Sequence, residues 1–152
     1  MKIYLAGSCA GEDRTIMMKT AEYIKRHFKE CEVYTPFTLK IENAWSYSQE
    51  AWSYLVFEKD ITALRESDIV IYISKGRISS SGSNFEQGYA FALQKKIFVL
   101  QIADTPTSLM TYCGCYNFYN VAPEDIEGAI KFIAQNWERD NLHKHSCRTV
   151  LT

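Results

Sequence analysis

The 152-residue sequence has little net charge and no long apolar run. The formal net charge is -1, which indicates no broad electrostatic attraction to nucleic acid, so we expect no nucleic-acid partner. No apolar run approaches the roughly 20 residues that span a bilayer, so we expect no membrane partner. The apolar start at residues 1–7 is too short for a signal-peptide core followed by a cleavage site, so we expect a cytoplasmic location.

A regular cysteine pattern is also missing. The five cysteines are odd in number and scattered, which favours reduced thiols over a disulfide framework. Cys113 and Cys115 stand one residue apart, whereas zinc-binding pairs usually stand two to four residues apart. His143, His145 and Cys147 fall in a polar C-terminal stretch. We therefore expect neither a metal ion nor a cofactor, and a frayed tail at residues 141–152.

The apolar content of 47% and the length of the chain predict one domain with one core, over residues 1–140. Apolar runs alternate with segments of helical periodicity. We predict strands at residues 2–7, 32–35, 68–73, 96–102 and 116–121, and helices at 16–28, 45–67, 84–94 and from 123 onward. This alternation predicts a flavodoxin-like, Rossmann-like α/β fold, a three-layer sandwich with a five-stranded parallel sheet in the order 2-1-3-4-5.

Three features converge on the carboxyl ends of the central strands, where ligands bind in such sheets. Tyr4 lies in the first strand, which ends in a Gly-Ser loop. Glu86 follows a loop of serine and glycine and is expected in the first turn of its helix, and Asp60 lies shortly before the third strand. Each carboxylate also has a simpler interpretation. Glu86 could pair with the helix dipole, worth about 0.3 to 1 kcal/mol, and Asp60 could cap or pair on a helix surface.

Three segments carry a family resemblance. They are Lys2-Ile3-Tyr4-Leu5-Ala6-Gly7-Ser8, then the stretch from Asp60-Ile61-Thr62-Ala63-Leu64 to Ser67-Asp68-Ile69-Val70, and Gly82-Ser83-Asn84-Phe85-Glu86-Gln87-Gly88-Tyr89-Ala90. Together they resemble the nucleoside 2-deoxyribosyltransferase family over most of residues 1–114. The resemblance implies that Glu86 attacks the anomeric carbon, that Asp60 handles the proton at the base, and that Tyr4 orients Glu86. Such a nucleophile splits one displacement into two easier steps.

Serines separate two branches of this family. The transferases usually have an acidic residue six positions before the nucleophile and an asparagine before Leu-Met, and this chain has Ser80 and Ser108 there. These serines, with Ser8, resemble those that bind the phosphate in the 2'-deoxynucleoside 5'-monophosphate N-hydrolases. A hydroxyl donates to a phosphate, whereas an aspartate would repel it. The alternative is that residues 79–81 only form a flexible loop and that Ser108 only caps the segment starting at Leu109.

The resemblance also implies the wider substrate site and a partner. We expect the substrate to be bound by a set of residues that includes the three serines of the resemblance and their neighbours: Gly7, Ser8, Arg14, Ser80, Gly82, Asn84, Ser108 and Met110. Arg14 could supply charge to the phosphate, and Asn84 departs from the family by replacing a glycine. The segment of Ser108 and Met110 reaches into a neighbouring subunit in this family, which implies a homo-oligomer, at least a dimer.

The expected partner is a small molecule, a nucleoside or nucleoside monophosphate, from which the enzyme releases the base. Two other functions stay open at this point. One is base exchange between deoxynucleosides by a 2-deoxyribosyltransferase, and the other is a non-catalytic nucleotide-binding module.

Overall fold

The chain is built around one parallel sheet. The computed structural model describes residues 1–139, so the predicted frayed tail lies outside the described residues. The strands are β1 Lys2–Gly7, β2 Glu32–Tyr34, β3 Ile69–Ser74, β4 Lys96–Gln101 and β5 Asn117–Asn120. All neighbouring strands pair in parallel, in the order β2-β1-β3-β4-β5, which confirms the predicted topology.

Helices cover both faces of this sheet. They are α1 Asp13–His27, α2 Gln49–Glu66, α3 Ser81–Ala92, α4 Leu109–Cys113 and α5 Ile126–Asn136. One apolar cluster packs α1 and α5 on the first face, and a second cluster packs α2 and α3 on the other face. The predicted three-layer sandwich is therefore confirmed.

The period of two in a strand decides which residues of β1 face which layer. Ile3 and Leu5 belong to the cluster with α1 and α5, while Tyr4 and Ala6 belong to the cluster with α2 and α3. All of these side chains are at most 1% exposed. The sequence of β1 therefore places Tyr4 on the face that α2 and α3 cover.

Two of the helix starts that differ from the sequence prediction are set by a capping serine. The predicted helix at 45–67 begins only at Gln49, because the Ser48 side chain caps it by accepting a hydrogen bond from the Ala51 N–H. The predicted helix at 84–94 begins earlier, at Ser81, because Ser80 caps it in the same way. Each helix begins after its capping serine, and apolar periodicity alone does not reveal that position.

Short 3-10 turns connect several of these elements, at Pro36–Thr38, Ala44–Ser46, Gly76–Ile78 and Pro123–Asp125. The predicted start of the last helix at Pro123 is such a turn, and α5 follows it directly. Within residues 1–139, no helix is both long and apolar enough to cross a bilayer.

Candidate active site

Tyr4 and Glu86 meet at the centre of the sheet. The Tyr4 hydroxyl donates a hydrogen bond to Glu86 Oε1 at 2.7 Å. Tyr4 is fully buried, and Glu86 lies on the sheet-facing side of α3, four residues before the buried Ala90. Tyr4 therefore fixes the position of the Oε1 atom of Glu86.

Glu86 lies in the second turn of its helix, which corrects the expectation of the first turn. The reason is the earlier start of α3 at Ser81. The field of a helix dipole falls off within the first turn. Pairing with the dipole is therefore a poor account of a carboxylate at this position.

Asp60 has a phenol partner of its own. The hydroxyl of Tyr34, in β2, donates a hydrogen bond to Oδ1 of Asp60, in α2, at 2.6 Å. Asp60 stands one helical turn before Leu64, which is fully buried against the sheet, so both point to the same side of α2. Asp60 is therefore directed to the sheet and does not serve as a surface cap.

The two carboxyl groups share one desolvated crevice. Burial raises the pKa of Glu86 from its ordinary value of 4.5 to about 7, with a further increase from the charge of Asp60, while the Tyr4 hydrogen bond opposes the increase. Burial also raises the pKa of Asp60, and the Tyr34 hydrogen bond opposes it. Two interacting carboxyl groups whose pKa values are both raised titrate as a pair.

Other side chains border the same crevice. Burial raises the pKa of the Cys9 thiol, and the negative charges of Glu86 and Asp60 raise it further. The Tyr72 hydroxyl donates to the Asn84 side-chain oxygen at 2.8 Å, which fixes the orientation of that amide. Asn84, the residue that departs from the family, is thus held in place by a buried phenol of β3.

The serine loop before α3 is an ordered turn. Ser80 accepts a hydrogen bond from the Ser83 N–H at 3.2 Å, and the hydroxyls of these two residues lie 2.6 Å apart. Ser79 accepts from the Lys75 N–H at 2.8 Å. These hydrogen bonds give the loop a defined turn, and Ser80 is the N-cap residue of α3.

A charged pair lies between this loop and the loop after β1. Lys75 Nζ donates to Asp13 Oδ1 at 2.9 Å, and this ion pair, together with Ser8, holds the pKa of Asp13 below its usual range. Arg14 lies apart from this pair, with its guanidinium carbon 5.9 Å from the centre of the Phe37 ring. Lys75 is thus a cation at the predicted phosphate site that the sequence prediction did not include.

Ser108 and Met110 lie beside α3 on its other flank. Ser108 caps α4 by accepting a hydrogen bond from the Met110 N–H at 3.2 Å, as the simpler interpretation predicted. Both residues, with Asn84, line a groove of about 530 Å³ between α3 and α4. Met110 is 79% exposed, so its side chain is available to another subunit.

The two predicted glycines have different surroundings. A Cβ added at Gly7 would lie 2.6 Å from Met17 Sδ, so packing at the end of β1 favours glycine. A Cβ added at Gly82 would meet no atom within 4 Å. Packing within the chain therefore does not explain the glycine at position 82.

The described part of the chain contains no group of three or more His, Cys, Asp or Glu side chains that could hold a metal ion.

A family model described as nucleoside 2-deoxyribosyltransferase matches residues 3–141. The chain belongs to the nucleoside 2-deoxyribosyltransferase family. The resemblance inferred from three segments is thereby confirmed, and membership of this family supports an enzyme that acts on a nucleoside or nucleotide. No curated protein matches the chain significantly.

Solved structures share the fold of this family member. A 2-deoxyribosyltransferase of Bacillus psychrosaccharolyticus is 24% identical with a TM-score of 0.67, covering 84% of this chain and 90% of its own. A CMP N-glycosidase of Clostridium botulinum is 15% identical with a TM-score of 0.59, covering 88% and 98%. A 2-deoxyribosyltransferase of Leishmania mexicana is 18% identical with a TM-score of 0.57, covering 89% and 97%.

The family resemblance in the sequence did not point to Tyr34. The signal that could have found it is the strand register, because Tyr34 pairs with Tyr4 across β2 and β1. Directly paired residues point to the same face of a sheet. In this member of the nucleoside 2-deoxyribosyltransferase family, Tyr34 therefore faces α2, on the same side of the sheet as Tyr4.

Proposed function

We propose that this protein hydrolyses the N-glycosidic bond of (2'-deoxy)nucleoside 5'-monophosphates in the cytoplasm and releases the free base. Glu86 is the nucleophile, Asp60 is the acid that protonates the base, and Tyr4 orients Glu86. One observation carries the proposal: a half-buried Glu86, bonded by Tyr4, lies close enough to a second half-buried carboxyl group, that of Asp60, for their charges to interact.

The first step forms a glycosyl-enzyme. The free carboxylate oxygen of Glu86 bonds to C1' of the sugar while the bond between C1' and the base nitrogen breaks. The electron pair of that bond goes to the base, and the proton of the Asp60 carboxyl goes to the same base. The base leaves neutral, Asp60 becomes a carboxylate, and the sugar is an ester of Glu86.

The second step restores the enzyme. The Asp60 carboxylate takes a proton from water, the resulting hydroxide oxygen bonds to C1', and the ester bond to Glu86 breaks. Glu86 leaves as a carboxylate and Asp60 is protonated again. The net reaction consumes one water and yields base and sugar phosphate.

The pKa of Glu86 suits this cycle. Near neutral pH a pKa of about 7 leaves a substantial fraction of Glu86 ionised and ready to attack. The Tyr4 hydroxyl holds Oε1, which fixes the direction of the attacking oxygen. Because burial strips water from the carboxylate, its attack requires little reorganisation of solvent.

The serine positions support a phosphorylated substrate. Ser80 stands at the start of a 12-residue helix, where the dipole favours an anion, and Ser8 follows directly after β1. Lys75 lies between these loops, where Asp13 balances its charge, so it supplies hydrogen-bond donors and no net positive charge. We assign the phosphate to Ser8, Ser80 and Ser108, with Arg14 and Lys75 as the nearby cations. Gly7, Gly82, Asn84 and Met110 complete the substrate site. One solved structure with this fold is a CMP N-glycosidase.

The second candidate is base exchange between deoxynucleosides, which the description of the matching family favours. The two functions share the glycosyl-enzyme and differ in the acceptor. Water completes hydrolysis, whereas a second base completes transfer.

One experiment separates these functions. Purified protein is incubated with deoxynucleosides and their 5'-monophosphates, with and without a second free base, and products are separated chromatographically. Hydrolysis predicts free base and sugar phosphate from the monophosphates, at a rate that the second base leaves unchanged. Formation of an exchanged nucleoside would favour transfer, and binding without any product would indicate a nucleotide-binding module.

A matched pair of variants assigns the nucleophile. Glu86→Gln keeps the shape of the side chain and removes its charge, so we expect at least a thousandfold loss of base release. Glu127→Gln removes a glutamate of α5 that pairs with Arg26 and His27 at the opposite layer, and it serves as the control. Full activity of Glu86→Gln would refute the assignment.

We further propose a homo-oligomer in which Ser108 and Met110 complete the site of a neighbour. Large apolar side chains stand exposed on α2, α3 and α4, including Trp52, Phe57, Phe91 and Met110. Such a patch is typical of a subunit interface. Sedimentation should give at least a dimer, and Met110→Glu should lower both the assembly state and the activity. A fully active monomer would contradict this.

A further inference from the structure

Tyr34 connects the second strand to the acid of the reaction. Its ring stands at the carboxyl end of β2, half-buried, and its hydroxyl donates to Asp60 Oδ1 at 2.6 Å. A phenol that binds one carboxyl oxygen leaves the other oxygen, Oδ2, to carry the proton that is delivered to the base. The bond therefore fixes which oxygen of Asp60 faces the substrate.

Tyr34 is also linked to Tyr4. The two residues are register partners in parallel strands, and their rings stack with centroids 5.4 Å apart and planes 27° apart. Tyr4 holds Glu86 and Tyr34 holds Asp60. Two adjacent strands thus carry two phenols, side by side, that hold the two carboxyl groups of the crevice.

Resting on the function proposed above, we infer that Tyr34 is a positioning residue for the general acid, which directs the protonated oxygen of Asp60 to the departing base. Its stacking on Tyr4 fixes the acid relative to the nucleophile. Tyr34 touches no reacting atom in this scheme and acts only through Asp60.

The groups that interact with Asp60 determine how its pKa should respond when Tyr34 is changed. The titratable groups whose charges or hydrogen bonds couple with Asp60 are Tyr34 of β2, Tyr4 of β1 and Glu86 of α3, with Cys9 in the loop after β1. Burial raises the pKa of Asp60 and Tyr34 lowers it, because its hydrogen bond stabilises the anion. Removing the Tyr34 hydroxyl should therefore raise the pKa of Asp60.

The first test uses Tyr34→Phe and compares two leaving groups. A base needs a proton to depart, whereas 4-nitrophenolate does not. With a nucleoside monophosphate, we expect kcat to fall about tenfold with KM little changed, and the alkaline limb of the pH profile to move up by about one pH unit. With the 4-nitrophenyl glycoside of the same sugar phosphate, we expect the pre-steady-state release of the first 4-nitrophenolate, which reports the first step alone, to stay within about twofold of the parent protein.

Tyr116→Phe provides the matched control. Its hydroxyl donates to the Arg139 carbonyl at 2.6 Å, and its ring packs against Phe98 in the other cluster, away from the crevice. Tyr116→Phe removes a phenol hydrogen bond of the same length as the bond between Tyr34 and Asp60. Equal losses on both substrates in Tyr34→Phe, or an unmoved pH profile, would show a merely structural role and overturn the inference.

A second readout does not depend on turnover. The Asp60 carboxyl is titrated by carbon-13 NMR in the free protein, its signal being assigned with Asp60→Asn. Tyr34→Phe should move the titration up, and 3,5-difluorotyrosine at position 34, a stronger donor of nearly equal size, should move it down. An Asp60 titration unchanged in both proteins would refute the inference. Inactivity of the parent protein on both substrates would refute only the proposed function, and the NMR titration would still decide the role of Tyr34.

Discussion

Replacing Glu86 with glutamine removes the charge of a half-buried side chain, which keeps its shape. The glutamine oxygen still accepts the hydrogen bond that Tyr4 donates at 2.7 Å to Glu86. The variant therefore isolates the cost of ionising position 86 in the folded protein. Loss of activity should be accompanied by a gain in stability at alkaline pH.

The magnitude follows from the pKa of Glu86. Folding raises it from 4.5 to about 7, which is roughly two and a half pH units. At about 1.36 kcal/mol per unit this is on the order of 3 kcal/mol. Because the folded pKa is raised, the favourable contribution is complete below pH 4.5 and is lost as the pH rises through 7. Coupling to Asp60 spreads this change over a wider pH range.

The assay is urea unfolding of the parent protein and Glu86→Gln at pH 4.5, 6 and 8.5, followed by tryptophan fluorescence. The difference in the free energy of unfolding should rise in favour of the glutamine variant by about 2 to 3 kcal/mol across this range. Glu127→Gln should change in the opposite direction, because pairing with His27 and Arg26 lowers the pKa of Glu127. A difference for Glu86→Gln that stays constant from pH 4.5 to 8.5 would refute the desolvation of Glu86.

Three further changes test separate parts of the structure. Tyr4→Phe removes the bond that stabilises the Glu86 anion, so the acidic limb of the pH profile should move up by about one unit and kcat should fall about tenfold; an unmoved limb would contradict this. Gly76→Ala should lower the free energy of unfolding by about 1 to 3 kcal/mol, because φ is +61° and the new Cβ would lie 2.8 Å from the Pro106 carbonyl oxygen. Gly128→Ala, in open space on α5, is its control and should not destabilise the protein. Ser80→Asp keeps a capping oxygen but repels a phosphate, so kcat/KM should fall about tenfold or more for monophosphates and not for nucleosides; equal changes for both would place the phosphate elsewhere.

The strands and their order could be predicted from sequence because buried parallel strands are short apolar runs, as in β3, where all six residues are buried. Helix starts were less predictable, because they depend on which serine becomes the cap. Ser48 and Ser80 each cap a helix whose start was placed at a different residue. The short helix α4 was considered only as a segment that Ser108 could cap, and the 3-10 turns were not predicted as such.

The candidate site likewise contains residues that the sequence predicted and residues that it did not. Tyr4, Asp60 and Glu86 belong to segments with a family resemblance, and the structure brings them to one crevice. Tyr34 and Lys75 lie outside those segments, and their positions follow from register and loop geometry. Tyr34 depends on its pairing with Tyr4, and Lys75 depends on the turn that brings it to Asp13. Such contacts arise only when distant parts of the chain are placed together.

The nucleophilic role of Glu86 is tested most directly by trapping the glycosyl-enzyme. A 2'-fluorinated nucleoside 5'-monophosphate slows release of the sugar, because the electron-withdrawing fluorine destabilises the cationic transition state. Mass spectrometry of the intact protein should then show the added mass of one fluorinated sugar phosphate. After digestion, this mass should lie on the peptide that contains Glu86, and it should be absent from Glu86→Gln. Base release without any adduct, or an adduct on another residue, would contradict a nucleophilic Glu86.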